Sequence, residues 1–146
     1  MSSELELLVR DEVEALHVFL VGWFSGMRPV DAFETDFLGR FDEEFLLIPP
    51  AGALLSLAEF QSAVRRNHGT NPEFRIAIRN VKLHRVLDDH VLATYEEWQR
   101  NALASTPPDN ARIVTVIFRK AHSLQWVHVH ETRLPESIAS AGPYDF

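Results

Sequence analysis

Two histidines near the end of the chain have the spacing of a pair of metal ligands. His128 and His130 lie two residues apart, so on a strand both imidazoles would point to the same face. A zinc or iron site needs a third ligand, and the adjacent Glu131 would point to the opposite face. We therefore expect no metal site and interpret the histidines as hydrogen-bonded side chains of a sheet or an interface.

Two acidic residues and a tyrosine could instead carry acid–base chemistry. Glu131 shares one face of a predicted strand with Val127 and Val129, and Glu97 shares one face of another with Tyr95. Burial raises the pKa of a carboxyl group, and a tyrosine can donate a hydrogen bond to an oxygen that gains negative charge. If these two faces converge in an apolar pocket, Glu131, Glu97 and Tyr95 are the candidate catalytic residues.

A salt bridge is the alternative role for Glu131. Arg112 would lie across from it if the last hairpin has a two-residue loop, and Ile113 would if the loop has three residues. Pairing with Arg112 would lower the pKa of Glu131, whereas an apolar setting would raise that pKa toward neutrality. Two neighbouring carboxyl groups cannot both ionise easily, so one keeps its proton, and we expect Glu131 to be the base.

The composition is typical of a single globular domain. The chain has 146 residues, 46% hydrophobic and 24% charged, and one domain usually has roughly 100–200 residues. There is no cysteine, which excludes a disulfide framework, a thiol nucleophile and a cysteine zinc site. The net charge of −7 has the wrong sign for following phosphates, so we expect no nucleic-acid partner.

The N-terminus is acidic where a signal peptide would be positively charged, and the apolar run from Leu16 to Phe24 is about half of a membrane span. We therefore expect a cytoplasmic protein without a membrane partner. One domain would cover residues 1–134, followed by a C-terminal tail over 135–146.

Helices are predicted in the first third of the chain. Ser3 with Glu6, and Ser56 with Glu59, have the spacing of capping boxes, and each pair precedes apolar residues at steps of three and four. The first helix would end at Gly26, where the stop signals begin. A shorter helix is predicted around 29–38.

Strands are predicted in the remainder, over 41–48, 74–87, 90–100, 112–120 and 124–133. A change of parity near Asn80 indicates a β-bulge. On the last strand, Trp126, His128 and His130 would share one face. Helices followed by a long antiparallel meander are typical of an α+β fold, in which helices cover one face of a bent sheet.

Four short motifs carry a resemblance to a known superfamily, namely Trp126 to Thr132, Ala93 to Glu97, Asn80 to His84 and Phe45 to Pro49. From the first helix to about residue 133, the chain resembles the nuclear-transport-factor-two-like superfamily, also called cystatin-like. The likeness is greatest to the branch with the association domain of calcium/calmodulin-dependent kinases. It implies a cone-shaped fold, with N-terminal helices packed in the concave face of a bent, mostly antiparallel sheet.

The resemblance also implies which residues face into the cone. In the kinase association domain arginines line the cone, and the aligned positions here hold Glu97, Thr115 and Glu131. Val129 shares the inward face with Glu131, and the histidines would lie on the outer face. Two aromatic residues, Trp23 and Phe45, are our further candidates for ligand binding.

The superfamily contains cofactor-independent enzymes as well as non-catalytic modules, so the resemblance leaves two functional hypotheses. The first is a protein that binds a small apolar or carbonyl-containing molecule and, if it is an enzyme, acts as an isomerase, dehydratase or cyclase without a cofactor. The alternative is a non-catalytic oligomerisation or interaction module whose cone is filled by its own side chains. We also expect a homodimer through the outer face with Trp126, His128 and His130.

Overall fold

The computed structural model describes residues 3–146. Helix α1 spans Glu4–Ser25, a π turn spans Phe33–Phe37 and a 3₁₀ turn spans Leu38–Arg40. Strand β1 (Phe41–Ile48) and the short strand β2 (Leu55–Ser56) precede helix α2 (Leu57–Arg66). Four long strands follow, β3 (Arg75–Leu87), β4 (His90–Arg100), β5 (Asn110–Lys120) and β6 (Leu124–Arg133), and the one-turn helix α3 (Glu136–Ala139) comes last.

The strands form one sheet in the order β2-β1-β6-β5-β4-β3. All neighbouring strands are antiparallel except β1 and β6, which are parallel. The face toward α1, called the inner face here, carries the hydrophobic core together with α1, the π turn and α2. The predicted α+β fold, with helices on one face of a mostly antiparallel sheet, is therefore confirmed.

Helix α1 has the ends that its sequence predicts. The Ser3 hydroxyl accepts a hydrogen bond from the backbone N–H of Glu6 at 3.1 Å, and Gly26 takes the left-handed conformation that ends the helix, with φ of +83°. The stripe facing the sheet is buried and consists of Val9, Val13, Leu16, His17, Phe19 and Trp23. Among residues 3–146, no helix is long and apolar enough to cross a membrane.

The second helical region differs in detail from its prediction. A π turn and a 3₁₀ turn occupy most of the segment where one short helix was expected, and they bury Phe33 and Phe37 against α1. Helix α2 begins with the predicted capping box, in which Ser56 and Glu59 each accept a hydrogen bond from the other's backbone N–H.

β-bulges in β3 and β6 decide which side chains reach the interior. In β3, Asn80 has a φ of +55°, and the pairing with β4 shifts by one residue there, as predicted. In β6 a bulge lies where Phe118 pairs with Trp126 but Ile117 pairs with His128. Val127 is therefore an extra residue, and the alternation predicted for β6 is interrupted.

The prediction that Trp126 shares the outer face with His128 and His130 is wrong. Trp126 is fully buried, and its ring centroid lies 4.6 Å from that of Phe118 in the core. Its indole Nε1 donates a hydrogen bond to Glu12 of α1 at 2.8 Å. The bulge at Val127 is the cause, because one extra residue moves all preceding side chains to the other face.

The segment after β6 packs back onto the outer face of the sheet. The Tyr144 hydroxyl donates to the Ala139 carbonyl at 2.7 Å, and the Tyr144 ring contacts Trp98 with 5.5 Å between centroids. Arg79 lies over the other part of the Trp98 ring, 4.5 Å from its centroid, and also bonds to the Pro143 carbonyl. Trp98 is buried by these contacts although its side chain points away from the core.

Candidate functional site

A cavity of about 160 Å³, called the inner cavity here, lies between α1 and the inner face of the sheet. A cavity of about 150 Å³ is large enough to hold a benzene-sized molecule. The apolar part of its wall is half aliphatic and half aromatic and includes Leu16, Phe41, Phe45, Phe60, Phe74 and Val129. The other part, called the polar wall here, consists of buried polar groups from α1, β4, β5 and β6, namely His17, Tyr95, Glu97, Gln99, Arg112 and Glu131.

Glu131 and Arg112 form a buried ion pair in this wall. Nη1 of Arg112 donates to both carboxylate oxygens of Glu131, at 3.2 and 3.3 Å, and the two side chains are only 11% and 9% exposed. Val114 lies directly across from Glu131, rather than Arg112 or Ile113, because the bulge at Val127 adds one residue to the offset of a three-residue loop. The long arginine side chain reaches the carboxylate diagonally.

Glu97 is bound by groups from two elements. One of its oxygens lies 3.0 Å from Nε2 of His17, whose Nδ1 lies 2.7 Å from the Val13 carbonyl oxygen. The other oxygen accepts a hydrogen bond from the Gln99 amide at 2.6 Å, and the Gln99 oxygen accepts one from Arg112 at 3.1 Å. A continuous chain of hydrogen bonds thus connects the two carboxyl groups of the cavity.

The two carboxyl groups have opposite pKa shifts. Burial, together with the negative charge of Glu97, raises the pKa of Glu131 to about 7, although Arg112 opposes the rise. Burial would also raise the pKa of Glu97, but the charge and hydrogen bond of His17, aided by Arg112 and Gln99, lower it to about 2. Pairing with Arg112 and a raised pKa, expected for Glu131 as alternatives, therefore occur together.

Tyr95 presents a phenol to the same cavity. Its side chain is 1% exposed, and its ring meets the His17 ring edge-on, with 5.6 Å between centroids. Burial and the nearby charges of Glu97 and Glu131 raise its pKa well above the ordinary value, so the phenol keeps its proton. Its hydroxyl makes no hydrogen bond within residues 3–146 and is available as a donor to a ligand.

Two of the predicted ligand-binding residues line the cavity, and two do not. Phe45 and Val129 lie in the apolar part of its wall. Trp23 is buried elsewhere in the core, where its Nε1 donates to the Val64 carbonyl at 2.7 Å. Its position around α1 is the reason, because the cavity is lined by Leu16, His17, Leu20 and Phe24, whereas Trp23 stacks on Phe19 beside them.

The prediction that Thr115 faces into the cone is also wrong. On β5 it alternates with Val114 and Val116, which are fully buried in the core, so its side chain lies on the outer face. Its neighbours in the sheet are Thr94 and His130. The reason is the alternation of β5, which pairs with β4 without interruption and places Thr115 on the face opposite to Val114 and Val116.

His128 and His130 lie near each other on the outer face, with 6.4 Å between ring centroids. Nδ1 of His128 is 3.0 Å from the Leu46 carbonyl oxygen of β1. In the described part of the chain, residues 3–146, no three acidic or histidine side chains are grouped so that they could hold a metal ion.

Three residues of the polar wall, His17, Gln99 and Arg112, were not predicted to be site residues. His17 is four residues after Val13 within the buried stripe of α1, and a lone histidine in an apolar stripe is the signal that could have identified it. Gln99 follows Glu97 by two residues on the same face of β4. Arg112 entered only as a possible structural partner of Glu131.

A second, wider cavity of about 520 Å³ adjoins the first. Both are lined by Phe24, Phe74, Gln99 and Arg112, so these four side chains stand between them. The outer rim of the second cavity includes the loop residues Ala102 to Ser105.

Comparison with known proteins gives a fold and no established activity. No protein-family model matches the chain, and no curated protein matches it. Among solved structures, an NTF2-like protein of unknown function from Pseudomonas aeruginosa has a TM-score of 0.77 and 27% identity, over 88% of this chain and 99% of that one. The chain has an NTF2-like fold.

Two further solved structures have the same fold. A putative calcium/calmodulin-dependent protein kinase type II association domain from Thiobacillus denitrificans has a TM-score of 0.61 at 21% identity, over 85% of this chain and 93% of that one. A putative ketosteroid isomerase from Shewanella frigidimarina has a TM-score of 0.60 at 14% identity, over 84% and 92%. At these identities the two likenesses show the fold alone.

Proposed function

We propose that this NTF2-like protein binds a small carbonyl compound in the inner cavity and moves a proton on it without a cofactor, as an isomerase, dehydratase or cyclase does. The observation that carries the proposal is the buried carboxyl group of Glu131, whose pKa of about 7 suits it to both release and accept a proton near neutral pH. Glu97 is less suited to this role, because the charge and hydrogen bond of His17 lower its pKa to about 2.

The first step is removal of a proton from the carbon next to the carbonyl group by the Glu131 carboxylate. The electron pair of the broken C–H bond moves onto the carbonyl oxygen and gives an enolate. The Tyr95 hydroxyl, which has no partner within residues 3–146, donates a hydrogen bond to that oxygen. Protonation cancels the charge of Glu131, so the positive charge of Arg112 becomes available to the enolate.

The second step returns the proton from Glu131. When the enolate is conjugated to a further carbon–carbon double bond, transfer to the far carbon of that system completes an isomerisation. Transfer to a hydroxyl group on the β-carbon releases water and leaves a carbon–carbon double bond, which completes a dehydration. Attack of the enolate carbon on a second carbonyl group would form a ring, and Glu131 would then give its proton to the alkoxide oxygen formed by that attack. In each case Glu131 ends as the carboxylate with which it began.

The shape of the cavity supports a compact ligand. Its volume of about 160 Å³ suits a molecule with about one ring, and the apolar part of the wall suits the hydrocarbon portion. The putative ketosteroid isomerase with the same fold supports the view that the fold can accommodate isomerase chemistry. The open cavity, with Trp23 packed outside it, favours ligand binding over the alternative of a cone filled by its own side chains.

Proton exchange into small ketones tests this function. We expect the native protein to speed the exchange of α-protons of cyclohexanone, or of a related one-ring ketone in a panel, with D₂O, as measured by NMR. Glu131→Gln should reduce the rate by about 100-fold or more, the scale of a lost general base. The rate should rise with pH and level off above about 7, because the carboxylate form of Glu131 is required.

Asp42→Asn is the matched control, since it removes another carboxylate bound to an arginine, Arg119, outside the cavity. It should leave the exchange rate unchanged. The proposal is wrong if no ketone of the panel exchanges faster with native protein, or if the Glu131→Gln variant is as active as the native one. If, in addition, no cavity resonance shifts with any ketone, the interaction-module hypothesis is favoured.

A further inference from the structure

Both ring nitrogens of His17 have a hydrogen-bond partner. Nδ1 lies 2.7 Å from the Val13 carbonyl oxygen, and Nε2 lies 3.0 Å from a carboxylate oxygen of Glu97. A carbonyl oxygen only accepts, so Nδ1 must carry a hydrogen. The contact at Nε2 then has two forms: the imidazolium donates to an ionised Glu97, or the neutral ring accepts from a protonated Glu97. In both forms the pair shares one proton at this contact.

The second oxygen of Glu97 selects between these forms. The guanidinium of Arg112 can only donate, so the Gln99 side chain turns its oxygen toward Arg112 and its NH₂ group toward Glu97. Glu97 therefore accepts a hydrogen bond from the Gln99 amide, at 2.6 Å, on the oxygen that His17 does not contact. A fixed donor on that oxygen favours the carboxylate and therefore the imidazolium form of His17.

We propose that His17 is a positioning residue that decides which of the two buried carboxyl groups holds the proton. By holding Glu97 as the anion, it leaves Glu131 as the group that exchanges a proton with the ligand. The inference rests on the proposed function for its catalytic meaning, but the location of the proton is a property of the protein without any ligand.

The groups around Glu131 explain how this works. The elements packed against it contribute His17 from α1, Tyr95 and Glu97 from β4, and Arg112 from β5, while Arg133 lies nearby on β6. The side chains that β1 and α2 contribute to the cavity are all apolar. With Glu97 ionised, a second negative charge at Glu131 is unfavourable because both groups are buried in the same polar wall. An added proton therefore goes to Glu131.

Loss of the His17 charge should reverse this order. Glu97 would then depend on Arg112 as its cation, but Arg112 reaches it only through Gln99, whereas it contacts Glu131 directly at 3.2 Å. Glu131 is therefore the better-stabilised anion once the imidazolium is gone. The proton should move from Glu131 to Glu97.

Carboxyl ¹³C titrations of native protein and His17→Gln test this exchange. Glutamine can still donate a hydrogen bond to Glu97 but brings no charge. The variant therefore separates the effect of the His17 charge from the effect of its hydrogen bond. We expect the midpoint of Glu131 to fall by about one pH unit or more and that of Glu97 to rise by about as much. His68→Gln is the matched control, because His68 also bonds to a backbone carbonyl but does not line the cavity, and it should shift neither midpoint.

A second measurement uses the native protein and does not depend on the variant folding. Long-range ¹H–¹⁵N spectra should show both nitrogens of His17 protonated at pH 7. A neutral ring with one bare nitrogen at that pH overturns the proposal, and so does a folded His17→Gln variant in which the midpoint of Glu131 is unchanged.

These outcomes are separable from those of the proposed function. If His17→Gln leaves Glu131 titrating near 7 and ketone exchange continues, the function stands and the role of His17 is refuted. If the carboxyl midpoints shift as expected but no ketone exchanges with native protein, the role of His17 stands and the function fails.

Discussion

Glu131 should make the folded protein less stable as the pH rises. Folding raises its pKa from an ordinary value of 4.5 to about 7, so the folded state binds the proton more tightly than the unfolded state does. This contribution is complete below the unfolded pKa and is lost as the pH rises through the folded one. We expect the free energy of unfolding to fall by about 2–3 kcal/mol between pH 5 and pH 8.

Urea unfolding of Glu131→Gln over the same pH range checks this residue-scale prediction. Glutamine has the shape of the protonated carboxyl group and cannot ionise, so most of the decline should disappear and the variant should be the more stable protein at pH 8. Asp42→Asn should keep the full decline, because the pKa of Asp42 is lowered and its stabilisation is lost only in acid. A variant that is less stable than the native protein at pH 8 would instead mean that the ion pair with Arg112 dominates.

At the scale of elements, the bulge in β6 sets the face of every side chain that follows it. Removing Val127 joins Trp126 directly to His128, and the two then alternate inward and outward as they already do. We therefore expect deletion of Val127 to give a folded protein that has lost less than about 2 kcal/mol of stability. Deletion of Val129 should prevent folding, because it turns His130 inward and Glu131 outward.

Circular dichroism and urea unfolding of the two deletion variants compare strands of equal length. Both lose one valine from β6, so the two variants have the same strand length and the same composition. If deletion of Val127 is as damaging as deletion of Val129, the extra residue has a role in packing that its position in the ladder does not explain.

At the scale of the whole molecule, the homodimer remains a prediction. The C-terminal segment covers Trp98 at one end of the outer face, and the remainder has half-buried apolar side chains beside His128, with Leu46 41% exposed. A second copy of the chain would cover this remainder. We expect sedimentation at micromolar concentration to give a dimer that His128→Glu dissociates.

His122→Glu serves as the control for the dimer, because this exposed histidine lies in the β5–β6 loop, away from the face. It should leave the dimer intact. A native protein that sediments as a monomer contradicts the prediction. Trp126→Glu is unsuitable as an interface variant, since it would place a charge in the core and unfold the protein.

Local patterns in the sequence determined most of the elements. The caps at Ser3 and Ser56, the stop at Gly26 and the parity change at Asn80 all depend on residues within one or two turns of each other. Alternation along β4 likewise placed Tyr95 and Glu97 on one face. Such features are readable because the interactions that produce them act between near neighbours in the chain.

Only the tertiary structure decided the register of β6 and the composition of the polar wall. A bulge of one residue depends on the packing of the whole strand against its neighbours, and it reversed the expected placement of Trp126. The partners of the two carboxyl groups come from α1, β4 and β5, so neither their contacts nor the opposite pKa shifts follow from local spacing. Those shifts depend on burial and on charges far apart in the chain, which folding alone brings together.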